Sequence, residues 1–339
     1  MAKPTITDVA RLSGVSPSAV SMYLNNRPGI SEDTHHRIAR AIDELGYVPR
    51  TNGAKNKSKG FIGLVVEQLP ASLTGDLFYA DVASGLQKEA EQLGYNIAIS
   101  VIDEPINTLP RLVDEDSVVG LIALGGGDIT DELLERIVNS NIPVVTVDNM
   151  SNLRPINSIM IDNHRGAYLV TRHLIDLGHR RIAIIQGPGK YKSLTERFYG
   201  YINALLDAEI EIDWSLIQAP LSKGIPNKGF KEMQALLELD PPPTAVFAVS
   251  DRTALGAMSA IEEANLRIPT DISIVGFDDL PPYTYANKPA LTTVTSQRLE
   301  MGRIAMQRLH QIINDPSLVP INIVMPSQLV IRDSSSKPR

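Results

Sequence analysis

Cysteine is absent from the 339 residues, which excludes a disulfide framework, a thiolate nucleophile and any zinc held by thiolates. Nowhere is there a run of about 18 apolar residues, the length a membrane-spanning helix needs. The opening stretch MAKPTITDVARLSG also lacks the apolar core, roughly 7 to 15 residues long, of a signal peptide. These absences point to a soluble, cytoplasmic chain. Compositional bias is missing too: hydrophobic residues make up 43% and charged ones 21%, near the globular average, so disorder, collagen-like repeats and coiled coil are excluded. The length is too great for one compact module and suits two or three domains.

Charge divides the chain. Residues 1–59 hold nine Lys/Arg against five Asp/Glu, whereas the remainder holds 23 against 34. A basic head on an acidic body suggests that the head alone meets a polyanion, because phosphates attract Lys and Arg whatever the base sequence.

From Phe61 onward, continuous apolar runs (FIGLVV, YNIAISVI, VVGLIAL, IPVVTV) alternate with amphipathic stretches such as YADVASGLQKEAEQLG, closed by Gly94. Strands buried on both faces of a parallel sheet read this way, and a left-handed glycine ends the intervening helices. The pattern restarts with 157–161, the helix RGAYLVTRHLIDLG, residues 181–186, TAVFAVS, TALGAMSAIEEANL and ISIVGF. Two doubly wound α/β subdomains follow, with Pro281 to Pro289 and LTTVTS as a crossover and the crevice between lobes as the default ligand site.

In TITDVARLSGVSPSAVSMYLNN, Thr7 can cap a first helix with Val9, Ala10 and Leu12 on its apolar face, and Gly14 supplies a left-handed turn. Ser16 then caps a second helix with Pro17 at its first position; Ala19, Val20, Tyr23 and Leu24 face inward, leaving Ser18, Ser21, Met22 and Asn25 outside. A third helix runs from the cap Ser31 through Ile38, Ala41, Ile42 and Leu45 to Gly46. This is a helix-turn-helix, whose second helix can lay its first residues against base edges. The following GYVPRTNGAKNKSKG reads as a basic linker.

This amino-terminal run, SEDT at 31–34 and ELGYVP at 44–49 resemble the DNA-binding head of the lactose-repressor-like (LacI/GalR) family of bacterial transcription regulators. The likeness continues through NSIMIDNHRGAYLVTRHLIDLGHRRIAIIQGP, RFYGYINALL and TAVFAVSDRTALGAMSAIEEANLRIPTDISIVGFDDL. It implies a homodimer whose heads read a pseudo-palindromic double-stranded operator while a periplasmic-binding-protein-like body holds a small effector, a sugar or related metabolite. On that basis the domains are a head at 1–48, a basic hinge at 49–60 and a body at 61–333, followed by a polar tail at 334–339. Within the body, the first subdomain takes about 61–161 and 292–320, the second about 162–291 and 321–333. DNA contacts fall on Thr5, Ser16, Pro17, Ser18, Ser21, Met22, Asn25, Arg27 and Ser31, with Lys55 and Lys57 in the hinge. Two departures stand out. Met22 replaces an Arg that can pair with guanine, which favours an A·T pair there, and the hinge has Asn56 or Lys57 where a Leu wedge belongs.

The same resemblance puts Asp76, Phe78 and Tyr79 in an N-P-F-F-like motif and Arg197 in R-x-x-G, all facing the effector. Asp251 and Asp278 each follow a strand, so two carboxylates converge as hydroxyl acceptors; Asp251 alternatively caps its helix and Phe78 alternatively joins the core. Ser296 stands where many members carry Gln. Arg165 hints at an anionic effector. No metal or cofactor is expected, nor an enzyme: ALGGGD at 123–128 lacks both dinucleotide and P-loop spacing, the six His residues are scattered, and G-x-S-x-G is missing. An exported sugar-binding protein is the other alternative, against which the head and the missing signal peptide argue. Only SSSKPR follows the last strand, too short and polar for a tetramerising bundle, so a dimer is expected.

Overall fold

The computed structural model describes residues 4–24, 29–47, 59–67, 77–102, 111–114, 117–221, 228–281 and 288–339. The chain forms two compact units, Met1–Ser58 and Lys59–Arg339.

In the head, α1 (Ile6–Ser13) begins where Thr5 is extended and Asp8 lies three residues on. The Thr5 amide and hydroxyl both donate to the Asp8 carboxylate, at 2.9 and 2.6 Å. These bonds hold the Asp8 carboxyl below its usual range. Thr5 and not Thr7 is therefore the cap, because only Thr5 has an acid at the reciprocal position. Gly14 at φ 66° ends the helix. The next helix, α2 (Pro17–Leu24), starts where the Ala19 amide donates to Ser16 Oγ at 3.2 Å. In α3 (Glu32–Leu45), the Thr34 amide donates to Ser31 Oγ at 3.3 Å, and Gly46 at φ 58° closes the helix. Val9, Val20 and Ile38 are fully buried between the three helices, whereas Leu12, expected inside, is exposed.

In the body, the first lobe is built from β1 (Phe61–Glu67), α4 (Leu77–Leu93), β2 (Asn96–Ile102), β3 (Val118–Leu124), α5 (Asp131–Asn139), β4 (Val144–Val147) and β5 (Asn157–Ile161). The second contains α6 (Asn163–Asp176), β6 (Ile182–Ile185), α7 (Lys192–Asp207), β7 (Ile217–Gln218), α8 (Phe230–Leu237), β8 (Ala245–Ala248), α9 (Asp251–Glu263) and β9 (Ser273–Val275). The chain then recrosses as β10 (Thr293–Thr295), α10 (Arg298–Asn314), β11 (Asn322–Met325) and β12 (Gln328–Val330). One parallel sheet has the order β11-β5-β4-β3-β1-β2, the other β7-β6-β8-β9. Each is covered by helices, which is why β4, β6 and β8 are apolar at nearly every position and buried throughout. No helix among the described residues is long and apolar enough to cross a membrane.

Three expected boundaries move. Residues 292–295 lie with the second lobe, since β10 pairs antiparallel with β12 and Thr292 bridges to Val275. Asn322–Met325, expected in the second subdomain, forms the edge of the first sheet by pairing with β5. The end of the chain is no loose tail: Ser334 is fully buried, its carbonyl accepting from the Ile274 amide at 2.8 Å and its hydroxyl donating to the Ile274 carbonyl at 2.6 Å. Apolar periodicity identifies short strands but not their partners.

Candidate functional site

A cavity of about 230 Å³ opens between the lobes, at the carboxyl ends of strands from both sheets. Such ends converge because every strand in a parallel sheet delivers its following turn to the same edge. β1 ends in Glu67 and β4 leads into Asp148, both on the wall; the first turn of α4 adds Phe78 and Tyr79. The second lobe contributes Tyr191, Ser193 and Arg197 of α7 and its approach, Ser250, Arg252 and Thr253 around the start of α9, and Asp278 beyond β9. On one rim, Lys190 and Lys192 at the start of α7 reach across to Asp128 (2.7 Å) and Asp131 (3.4 Å).

Arg197 is the centre of this wall and is only 4% exposed. It donates from Nε to Asn163 Oδ1 (2.9 Å) and from Nη1 to the Val249 carbonyl (2.6 Å), while Nη2 lies 3.1 Å from Asp278 Oδ1. Its guanidinium lies 3.7 Å from the centre of the Phe277 ring. Its helix comes close enough to α6 because residue 200 is glycine: a Cβ there would fall 2.1 Å from the His164 carbonyl oxygen.

Opposite stand two buried carboxylates. Glu67 Oε2 accepts from the Gly127 and Asp128 amides at 2.9 and 3.0 Å, while Oε1 accepts no hydrogen bond from the described residues. Asp148 accepts from the Tyr79 hydroxyl at 3.2 Å on Oδ2, and among the described residues its Oδ1 likewise has no donor. Burial pushes the Glu67 carboxyl up. Burial also pushes Asp148 up, to about 7, with Arg197 opposing and Asp278 and Glu67 adding to the rise. Between pH about 4 and about 7 the folded chain therefore keeps a proton on Asp148 that the unfolded chain has released, so stability falls as pH rises through that window. Asp148→Asn is expected to flatten this slope, read as the difference in Tm between pH about 5.5 and about 8.

In the head, Ser16, Pro17 and Ser18 are exposed at the start of α2, and Ser21 and Met22 are half-buried. A Cβ at Gly29 would meet Met22 Cε at 2.9 Å, so the thioether lies against that turn. Tyr23 packs edge-on against His35, 4.3 Å between ring centres, which fixes the angle of α2 on α3. Asn25, Arg27, Lys55 and Lys57 lie outside the described residues, as does Asp76.

Residues 5–50 match the model for bacterial regulatory proteins of the lacI family, and residues 171–335 match the periplasmic binding protein-like domain. The probable HTH-type transcriptional repressor ExuR of Bacillus subtilis is 33% identical over 338 residues, 97% of this chain and 98% of that protein. The chain belongs to the lacI family of bacterial regulatory proteins. The ribose operon repressor of Haemophilus influenzae is 32% identical, with 97% and 98% of the two chains covered. Among solved structures, a complex of the transcriptional regulator CelR with cellobiose superposes with a TM-score of 0.72 at 30% identity, covering 98% of this chain and 99% of that one. The lac repressor dimer bound to operator and the anti-inducer ONPF gives 0.68 at 27% identity, covering 99% and 100%. These relatives are regulators, and each covers nearly the whole of this chain.

Of the residues that the family resemblance placed at the effector, Phe78, Tyr79, Arg197 and Asp278 meet at the cavity. Two do not line it. Asp251 is fully buried behind the wall, where Oδ2 accepts from the Leu280 amide (2.8 Å) and Oδ1 from the Thr293 hydroxyl (2.6 Å). It is not the cap of α9 either, a part taken by Ser250. Ser296 is buried beneath the turn after β9, its hydroxyl facing the Asp278 carbonyl at 3.5 Å. Arg165 is exposed on the first turn of α6 and is not part of the wall. Glu67 and Asp148 were missed, although each directly follows or ends an apolar strand, the signal that singled out Asp278. Among the described residues no cluster of three metal-ligating side chains occurs.

Proposed function

We propose that the chain binds a pseudo-palindromic operator as a homodimer and that a small polyhydroxylated metabolite in the body cavity sets its operator affinity. The observation that carries this reading is the cavity wall itself: a fully engaged guanidinium at Arg197 facing two buried carboxylates with open acceptor oxygens. Hydroxyl groups are donors that such oxygens lack, and a buried acceptor left without one costs about 1–3 kcal/mol. The relatives named for ribose and seen with cellobiose favour a sugar-sized ligand. Phe78 and Tyr79 supply the apolar face, Glu67, Asp148 and Asp278 the hydroxyl acceptors, and Arg197 holds Asp278 in place.

On DNA, the exposed start of α2 enters the major groove, with Ser16, Pro17 and Ser18 nearest the bases and Ser21 at phosphate. Thr5 and Ser31, exposed caps of α1 and α3, add backbone contacts; the charges of Arg27, Lys55 and Lys57 and the amide of Asn25 suit phosphate oxygens. Met22→Arg is expected to shift preference toward G·C at one position of each half-site by about 1–3 kcal/mol, read by selection of binding sites from a random library; an unchanged site profile removes Met22 from the bases. The effector reading is tested by thermal shift against a panel of neutral, acidic and amino sugars, since a ligand at 100 times its Kd adds about 2.7 kcal/mol. The dimer is tested by sedimentation, where a mass near two 37.0 kDa chains is expected. The relatives' roles as transcriptional regulators favour a regulator without catalytic turnover.

A further inference from the structure

Arg298 opens α10 in the first lobe, and its side chain is 10% exposed. Nε donates to Asp81 Oδ2 on α4 at 2.9 Å. Nη1 donates to the Asp278 carbonyl, and the guanidinium lies 3.4 to 3.5 Å from the Asp279 carbonyl. One side chain thus joins α4, in the first lobe, to the turn after β9, in the second. That turn is unusual: Asp278 and Asp279, neither of them glycine, have φ of 116° and 54°. Such backbone is unfavourable for a residue with a Cβ and persists only where its surroundings hold it. Here three arginines do so: Arg197 takes the Asp278 carboxylate inside the cavity, Arg332 takes the Asp279 carboxylate, and Arg298 takes both carbonyls.

We infer that Arg298 is a positioning residue through which rearrangement of Asp278 reaches α4. This rests on the reading of the cavity as the effector site. A ligand that hydrogen-bonds Asp278 or Arg197 competes with their ion pair. Asp278 keeps its positive φ only while its surroundings hold it, so release of its carboxylate from Arg197 lets the adjoining peptide turn, whose oxygen Arg298 holds. The guanidinium then moves Asp81, which lies in the turn of α4 next to Phe78 and Tyr79, so the same helix end senses the ligand directly and through the second lobe. Asp81 is 42% exposed, so its ion pair adds little stability; its contribution is geometric.

The test needs no effector. Because the chain has no cysteine, Lys88→Cys on α4 and Glu263→Cys on α9, both exposed, can carry nitroxide labels, diluted with unlabelled chains so that only distances within one protomer are read. In this parent, Asp278→Asn is expected to displace or broaden the interlobe distance distribution. With Arg298→Ala already present, the same change is expected to have no further effect. Asp81→Asn is expected to reproduce Arg298→Ala while leaving Tm unchanged, which a merely structural role would not do. If Arg298→Ala fails to fold, Asp81→Asn serves as the background instead. The inference is overturned if Asp278→Asn leaves the parent unchanged, if it acts equally in both backgrounds, or if Asp81→Asn and Arg298→Ala both leave the distribution superimposable on the parent. None of these outcomes touches the effector reading, which stands or falls on the sugar panel.

Discussion

Arg197→Ala is expected to abolish the effector response and to destabilise the body by about 3–5 kcal/mol, the cost of leaving a buried charge without its partner. Asp278 is buried and loses its ion pair; Asn163 Oδ1 and the Val249 carbonyl lose their donors; and the Phe277 ring loses the cation on its face. The family resemblance placed Arg197 facing the effector. In the structure its fork is already occupied by three groups, one at the start of α6, one after β8 and one after β9, so its contribution to binding is to hold Asp278 and the wall in one geometry. Arg197→Lys should recover little, because one ammonium cannot reproduce a planar fork. Calorimetric unfolding measures the loss of stability. Fluorescence anisotropy on operator DNA, with and without effector, should give a ratio close to one for any variant that stays folded, with unliganded DNA binding nearly intact. A retained effector-dependent ratio would show that Asp278 keeps its place without the guanidinium.

Gly302→Ala is expected to cost the body about 3 kcal/mol, at the upper end of the usual overpacking range. A methyl at 302 would stand 1.9 Å from the Val82 carbonyl oxygen, and one at Gly85 would stand 1.9 Å from the Leu299 carbonyl oxygen. The two helices α4 and α10 therefore cross backbone to backbone. Carbonyls inside a helix cannot rotate away without breaking their own hydrogen bonds, so the helices must separate and uncover Met301, Ala305 and Leu86, which are fully buried. Gly189→Ala, with nothing within 4 Å of the added carbon, is the control and should be nearly neutral. Equal Tm values for the two variants would mean that α4 and α10 part without loss.

Local signals proved the most legible. Caps and left-handed glycines placed α2 and α3, and apolar runs located the strands, because these depend on residues within a few positions of one another. Partners distant in sequence were not legible. Asp251 looked like a ligand because it follows a strand, yet its oxygens are taken by Leu280 and Thr293, 29 and 42 residues away. Glu67 was overlooked because a carboxylate ending an apolar strand is easily read as the solvent-facing end. Its hydrogen bonds to the 127–128 loop, 60 and 61 residues on, turn it inward.

Neither lobe is contiguous in the chain, and each receives its last piece from the same short stretch. β11 closes one edge of the first sheet, and within about a dozen residues β12 pairs with β10 in the second lobe and Ser334–Ser336 bond to β9 at the edge of the second sheet. During synthesis, which proceeds at about 5–20 residues per second from the amino terminus, the three-helix head can fold long before the body can. For most of the time the body is emerging, both sheets expose an unfilled edge: the first cannot finish until residue 325 is available, the second until residue 336. A nascent chain of this protein would thus display a competent DNA-reading head on an incomplete sensor, and loss of the last ten to fifteen residues should leave DNA binding without regulation.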